Sequence, residues 1–252
     1  RKYFEELRDV KPDALIIADP AIFTIAKEVL PDTELHISTQ ANNTNYGTYN
    51  FWYSLGAKRV VSARELSLRE IKEIRQNIPD DLEIETFIHG AMCISYSGRC
   101  LLSSFMAGRD ANRGACTHPC RWKYAVMEES RPGEYMPVFE NERGTFIYNS
   151  KDLCMIEHIP ELLNSGITSF KIEGRMKSVY YTAITANCYR MAIDSYLADP
   201  EGYKFDPALL EELESVSHRE YDTGFFFDDP MSDAKVTKDV GYLKSKAYLA
   251  DC

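Results

Sequence analysis

The sequence predicts an α/β fold, and three observations support this prediction. Short runs of apolar residues alternate with helical patterns at intervals of roughly 20–25 residues, as in repeated strand–helix units. The first run, at 14–18, is continuous, which is typical of a parallel strand buried on both faces, and the run at 82–88 alternates in part. Five such strands are visible, whereas a complete (β/α)8 barrel needs eight over about 250 residues. We therefore expect an incomplete TIM-like (β/α) barrel that lacks its first strands, with an open doubly wound sheet as the alternative.

Turn and capping residues bound the elements of the first half of the chain. A helix over residues 2–10 ends before Lys11 and Pro12, and a strand follows at 14–18. Asp19 is expected to cap the next helix, and Pro20 fits its first turn, where no backbone N–H is needed. The other elements predicted in this half are helices at 19–30, 45–55 and 67–76 and strands at 34–38, 59–62 and 82–88.

The second half is expected to hold the rest of the barrel and an insertion. Helices are predicted at 155–164, 179–197 and 207–216, and a strand at 169–172. Residues 1–221 would form the partial barrel, with 90–150 as a Cys-rich insertion after a strand. Residues 222–252 would begin a β-rich C-terminal module that is cut short. Because the chain has no initiator Met, we expect it to be a fragment of a longer protein.

The net charge of the chain bears on which partners it can bind non-specifically. The formal net charge is −10, which weighs against a general nucleic-acid binder, because such proteins place Lys and Arg against phosphates. A local basic patch could still contact RNA, and its candidates are Arg99, Arg109, Arg113, Arg121 and Lys123. No apolar run of about 18 residues or more occurs, so we predict no transmembrane helix and no membrane partner.

Four of the seven cysteines lie in one stretch, at positions 93, 100, 116 and 120. Their spacing, C-x6-C-x15-C-x3-C, matches neither the paired CxxC of zinc ribbons nor the ferredoxin run. An odd number of cysteines without secretory features indicates a reducing compartment, with metal ligands or free thiols. We interpret the four as ligands of a metal centre, and an iron–sulfur cluster, a zinc site and free thiols are the alternatives at this point.

The other cysteines and the nearby histidines are weaker candidates for metal ligands or catalytic residues. Cys154 and Cys188 lie in sequences with a helical pattern, and we predict that both are core residues, where a free cysteine behaves as a small hydrophobe. His118, between two proposed ligands, is a substitute ligand that ranks below Cys120. A thiol peptidase would need one cysteine as a nucleophile with His89 as its base. The sequence contains no recognised local signature for that arrangement.

Polar side chains follow the predicted strands at the end where α/β proteins place their functional groups. We expect them to line one pocket, in which Glu65, His89 and Glu173 are catalytic candidates. The substrate-binding candidates are Gln40, Asn42, Arg64 and Arg175. Two arginines would suit an anionic small molecule, because a guanidinium pairs bidentately with carboxylate or phosphate. The alternative is that these charges form ion pairs that hold loops in place.

Several long motifs resemble those of one known family. Residues 85–103 read ETFIHGAMCISYSGRCLLS and resemble the signature of the peptidase U32 family, also called collagenase-like proteases. Further similar motifs are STQAN (38–42), ARELS (63–67), NSKDLC (149–154) and SFKIEGRMKS (169–178). The resemblance covers essentially the whole chain. In pattern it is greatest to the branch of tRNA 5-hydroxyuridine modification proteins, which carries residues similar to GACTHPCRWKY (114–124).

The resemblance implies a TIM-like barrel in a cytoplasmic bacterial protein. It implies a 4Fe–4S cluster bound by Cys93, Cys100, Cys116 and Cys120, and prephenate-dependent hydroxylation of the wobble uridine of tRNA. Prephenate is a dicarboxylate, which would suit the two arginines. Ribosomal RNA is the alternative RNA substrate, and a homo-oligomer or a partner subunit of the same family is expected. Two other functions stay open: a collagenase-like peptidase, and a non-catalytic, metal-stabilised scaffold that binds RNA or a partner.

Overall fold

The structure is a computed structural model that describes most of the chain. The described residues are 1–93, 100, 102–109, 115–121, 140–141, 144–145, 151–175 and 177–227. They divide into two units. The first unit contains residues 1–87, 161–171 and 225–227, and the second contains the described residues of 88–160 and 172–224. Most of the predicted C-terminal module, residues 228–252, lies outside the described residues.

Parallel strands form the centre of the first unit. They are β1 (Ala14–Ile17), β2 (Glu34–Ile37), β3 (Arg59–Val61) and the first part of β4 (Glu83–Ala91), and they pair in that order. Ile37, Val60 and Ile84 have no exposed surface, as expected for apolar runs covered on both faces. The strand β8 (Ser169–Ile172) also pairs with β4. The prediction of an α/β fold with mostly parallel strands is confirmed.

Four helices of the first unit accompany these strands, one before β1 and one in each connection between successive strands. They are α1 (Lys2–Val10), α2 (Pro20–Val29), α3 (Tyr46–Ser54) and α4 (Leu68–Gln76). The Asp19 carboxylate accepts a hydrogen bond from the Ile22 amide at 2.9 Å, so the predicted cap at the start of α2 is confirmed. Ser67 and Glu70 form a capping box at the start of α4. Because these capping bonds join residues three positions apart, the starts of both helices could be predicted from the sequence.

The second unit begins where β4 continues beyond Phe87. This end of β4 pairs antiparallel with β7 (Asp152–Cys154), with His89 opposite Cys154. The strand β7 in turn pairs parallel with β9 (Tyr221–Asp222). The prediction that Cys154 lies in a helical segment is therefore wrong. Its strand is only three residues long, and pairing with two other strands outweighs the local helical pattern.

Four further described helices lie after β4 in the chain. They are α5 (Leu102–Ala107), α6 (Ile159–Leu163), α7 (Val179–Ala198) and α8 (Pro207–Leu213), and two short strands pair at β5 (Glu140–Asn141) and β6 (Gly144–Thr145). The helix α8 ends at Leu213, three residues before the predicted end. Within the described residues, no helix combines the length and apolar character that a membrane crossing requires.

Candidate functional site

Two packed segments of the second unit carry three of the four clustered cysteines. Cys100 lies just before α5, and Cys116 and Cys120 lie at a 3-10 turn (Pro119–Arg121) that packs against α5. The hydroxyl oxygen of Ser103 on α5 accepts a hydrogen bond from the Thr117 amide at 3.0 Å. This bond ties the helix that follows Cys100 to the loop between Cys116 and Cys120. The two segments are therefore held against each other by protein contacts alone.

The chemistry of the four thiols suits a thiophilic metal centre. None of the four forms a disulfide; Cys93 is exposed and the other three are partly exposed. The backbone amide of His118 donates to the Cys116 sulfur at 3.3 Å, which is the kind of bond that supports metal-bound sulfur. Among the described residues, however, no three His, Cys, Asp or Glu side chains are gathered closely enough to hold a metal ion. Thiolates are the ligands that an iron–sulfur cluster requires, so the residue types fit. In the described residues, however, the sulfur atoms do not surround one centre.

The two other described cysteines have a different environment. Cys154 and Cys188 are buried, so the prediction that they are core residues is confirmed. Burial raises the pKa of the Cys154 thiol to about 12, and burial also raises that of Cys188. Both thiols therefore stay protonated at neutral pH, and a protonated thiol is neither a nucleophile nor a metal ligand.

His89, a catalytic candidate, lies in β4 with no exposed surface. Its ring lies 5.9, 5.5 and 5.3 Å from the rings of Tyr181, Tyr189 and Tyr221. Burial lowers the pKa of the imidazole to about 3; the charge of Asp152 opposes this shift but does not offset it. The ring is therefore neutral at physiological pH and closed off from solvent. Its catalytic role stays a prediction, and proton exchange with a substrate would require a change that exposes it.

Glu173, the second catalytic candidate of this unit, lies beside the end of β4. Its amide donates to the His89 carbonyl at 2.9 Å, and its carboxylate accepts a hydrogen bond from the Arg175 amide at 3.0 Å. Gly90 has a φ of 112°, and a Cβ atom there would lie 2.8 Å from the Cβ of Glu173. The close approach of these two backbones is therefore possible only with glycine at position 90. The structure brings His89 and Glu173 together. Arg175, two residues after Glu173 in the chain, is exposed.

The remaining pocket candidates belong to the first unit. Gln40 lies on a 3-10 turn (Thr39–Ala41), and its own amide donates to the Ser38 hydroxyl oxygen at 3.2 Å. Asn42 ends this turn in the left-handed conformation. The guanidinium carbon of Arg64 lies 3.9 Å from the centroid of the Phe87 ring, a cation–π contact that holds this side chain. Glu65 is partly buried. That these four residues share a pocket with His89, Glu173 and Arg175 stays a prediction.

A charged network in the first unit was missed by the sequence analysis. The carboxylate of Glu85 accepts hydrogen bonds from Arg59 at 3.0 Å, Ser169 at 3.0 Å and Lys171 at 2.7 Å. Burial alone would raise the pKa of Glu85, but Lys171, Ser169 and Arg59 hold it below its ordinary value. The signal was Glu83 and Glu85 two residues apart in an apolar strand, which places both on one face.

A buried ion pair in the second unit was also missed. The Asp152 carboxylate and the Arg219 guanidinium are 2.6 Å apart, and each side chain is 1% exposed. The Lys177 ammonium lies 3.8 Å from the same carboxylate and donates to the Ser217 carbonyl at 2.7 Å. Asp152 and Arg219 are 67 residues apart in the chain, so no local pattern could have joined them.

Comparison with known proteins gives one family and several relatives. Residues 1–235 match the family model described as Peptidase family U32. The chain is 44% identical to tRNA hydroxylation protein P of Escherichia coli (strain K12), over 87% of this chain and 57% of that protein. It is 43% identical to tRNA hydroxylation protein P1 of Bacillus subtilis (strain 168), over 90% of this chain and 53% of that protein. It is 31% identical to Collagenase of Porphyromonas gingivalis, over 99% of this chain and 60% of that protein.

The chain thus spans less than two thirds of the length of each of these relatives. Among solved structures, one described as the U32 peptidase Mk0906 is similar over 35% of each chain. The sequence identity there is 18% and the TM-score is 0.31. The family of this chain is therefore shown by the sequence matches, and the structural similarity is too low to support it further.

Proposed function

This chain belongs to peptidase family U32, and from that premise we propose that it acts in tRNA modification, by hydroxylating the wobble uridine with prephenate as a co-substrate. The observation that carries the proposal is the 44% identity to a tRNA hydroxylation protein over 87% of the chain. That relative is longer, because the match covers 57% of it. The activity of the whole relative is therefore transferred to this chain as a proposal.

We further propose that Cys93, Cys100, Cys116 and Cys120 bind a 4Fe–4S cluster. The partial or full exposure of these four residues supports this ligand set over the buried Cys154 and Cys188. When bound, such a cluster supplies electron transfer at a potential that its sulfur hydrogen bonds and surroundings set. The chain's own contribution is to hold Cys100, Cys116 and Cys120 on the segments joined by Ser103 and Thr117. Zinc is the alternative occupant of the same thiols.

The proposed small-molecule site uses Arg64 and Arg175 to bind the two carboxylates of prephenate, with Gln40 and Asn42 as further contacts. Glu65, His89 and Glu173 are the proposed catalytic residues. Unchanged prephenate binding in an Arg64→Ala/Arg175→Ala variant would remove this part of the proposal. An incomplete (β/α) barrel is the proposed architecture, and the ordered parallel pairing of β1 to β4 supports it.

The proposed partner is tRNA, with ribosomal RNA as the alternative, and the proposed location is the cytoplasm. A homo-oligomer or a partner subunit of the same family is also proposed. The described elements contain no membrane-crossing helix, which agrees with a partner in solution. Native mass spectrometry with and without a tRNA transcript would measure both the oligomeric state and the bound RNA.

Anaerobic purification tests the cofactor. A brown protein that contains iron and acid-labile sulfide, and that loses both in a Cys93→Ser/Cys116→Ser variant, would support the cluster. Cys188→Ala is the matched control, because it removes a buried thiol that is not a proposed ligand, and it should keep the iron. A colourless protein that contains zinc instead would contradict the iron–sulfur proposal.

Proteolysis is the second candidate function. It is favoured by the 31% identity to a protein named Collagenase over 99% of this chain. The one histidine proposed as a base, His89, lies in hydrogen-bond contact with the Tyr189 hydroxyl, at 3.4 Å from its Nδ1. Cleavage of gelatin by the metal-free protein, lost in a single cysteine variant, would favour this function over RNA modification.

A further inference from the structure

The Asp152–Arg219 pair joins the start of β7 to the segment that leads into β9. The Arg219 Nε donates to Asp152 Oδ1 at 2.8 Å, and the Arg219 amide donates to Oδ2 at 3.0 Å. Asp152 is the first residue of β7 and pairs with Ala91, the last residue of β4. A buried ion pair is weak evidence for stability, because removal of both charges from water offsets much of their attraction. The pair therefore calls for another role.

The guanidinium also reaches the residue that precedes the first clustered cysteine. Its Nη2 donates to the Met92 carbonyl at 3.3 Å. That carbonyl belongs to the peptide unit that joins Met92 to Cys93, and a peptide unit is planar. A bond to its oxygen therefore restricts the orientation of the Cys93 amide and the direction in which Cys93 leaves the strand.

Other close contacts also restrict the backbone at this end of β4. Gly90 is packed against the backbone of Glu173, and a Cβ atom on Gly224 would lie 3.0 Å from Leu153 and 3.8 Å from Met92. The chain is thus buried through Gly90, whereas Cys93 is exposed. The bond from Arg219 extends the contacts of the buried strand to the Met92–Cys93 peptide.

We propose that Asp152 and Arg219 are positioning residues that hold Cys93 in place as a metal ligand. This role rests on the proposed cluster, and it adds two residues that are not themselves proposed ligands. Asp152 orients the guanidinium, and the guanidinium fixes the carbonyl next to Cys93. Partners of this kind orient metal ligands and change metal affinity without contacting the metal.

Arg219→Lys is the first test, because lysine keeps the charge but lacks the fork that bonds Asp152 and Met92 together. Arg75→Lys is the matched control, since Arg75 also clamps backbone, with bonds to Leu82 O at 2.8 Å and Ile78 O at 3.3 Å. Two measurements are made on each full-length variant: hydrogen exchange of residues 88–93 in the metal-free protein, and the rate of iron release to a chelator after anaerobic reconstitution.

In Arg219→Lys, exchange at residues 88–93 should be faster, and iron should be released about tenfold faster than in the wild type. Arg75→Lys should change neither, although its melting temperature falls. An unchanged iron release rate in Arg219→Lys would overturn the proposal, and so would an unchanged exchange rate at residues 88–93. If Arg219→Lys does not fold, an Asp152→Asn/Arg219→Gln variant replaces it, because it removes both charges of the pair together.

The failure of the proposed cofactor would look different from the failure of this inference. A wild-type protein that takes up no iron contradicts the cluster itself, and the ligand-positioning role of Asp152 and Arg219 is then overturned with it. Iron uptake with an unchanged release rate in Arg219→Lys leaves the cluster intact and overturns only the positioning role.

Discussion

Gly90 and Glu173 approach each other so closely that a Cβ atom on Gly90 would overlap the Glu173 backbone carbonyl. The φ of Gly90 is 112°, which side chains rarely adopt. This contact lies at the end of β4, just before Met92 and Cys93, and it fixes the strand end next to two catalytic candidates. The close packing of these two backbones is therefore a precondition for the geometry of the candidate site.

Gly90→Ala should destabilise the protein severely. The backbone conformation alone costs about 1–2 kcal/mol for a residue with a side chain, and the overlap with Glu173 adds to it. Gly108→Ala is the matched control, because Gly108 also has a positive φ, of 62°, but a Cβ atom there would meet nothing within 4 Å. Urea denaturation of both variants tests this. Equal losses in the two would mean that the Glu173 contact carries no energy.

Asp152→Ala should cost about 3–5 kcal/mol of unfolding free energy, because it leaves the buried Arg219 charge without its partner. The exposed pair Arg1–Glu28 has the same N–O distance of 2.6 Å, and Glu28→Ala should leave stability unchanged because water screens that pair. An Asp152→Leu/Arg219→Met variant should lose less than Asp152→Ala. Chemical denaturation of the three variants measures this, and a small loss in Asp152→Ala would show that the pair is not truly buried.

His89 should make the protein less stable as the pH falls from about 6.5 to about 3. In the unfolded chain the imidazole takes up a proton below its ordinary pKa of 6.5, whereas burial keeps it neutral in the folded protein until about 3. The unfolded state therefore binds more protons in this window, and each pH unit costs up to about 1.4 kcal/mol.

The matched variant for this prediction is His89→Phe, which keeps an aromatic ring among the three tyrosines and removes the titrating group. Its unfolding free energy, measured by denaturation at several pH values, should fall less steeply than that of the wild type between pH 6.5 and 3. Parallel curves for the two proteins would mean that His89 is protonated in the folded state.

Local features were predictable from the sequence, and long-range ones were not. The Asp19 cap could be predicted because the carboxylate and the amide that it accepts from are three residues apart. The strand position of Cys154 could not, since β7 exists only through its pairing with β4 and β9. The four thiols were found because cysteine is rare and their positions are close in sequence. Asp152 and Arg219 meet only after folding has joined two distant segments.

The central claim is that this chain hydroxylates uridine in tRNA with the help of its clustered cysteines. The most direct measurement is mass spectrometry of tRNA nucleosides from a strain without the gene for this chain, complemented with the wild type, Cys93→Ser or Cys188→Ala. The account predicts that 5-hydroxyuridine-derived nucleosides disappear in the deletion and return with the wild type and Cys188→Ala but not with Cys93→Ser. Unchanged levels of these nucleosides in the deletion strain would contradict the claim.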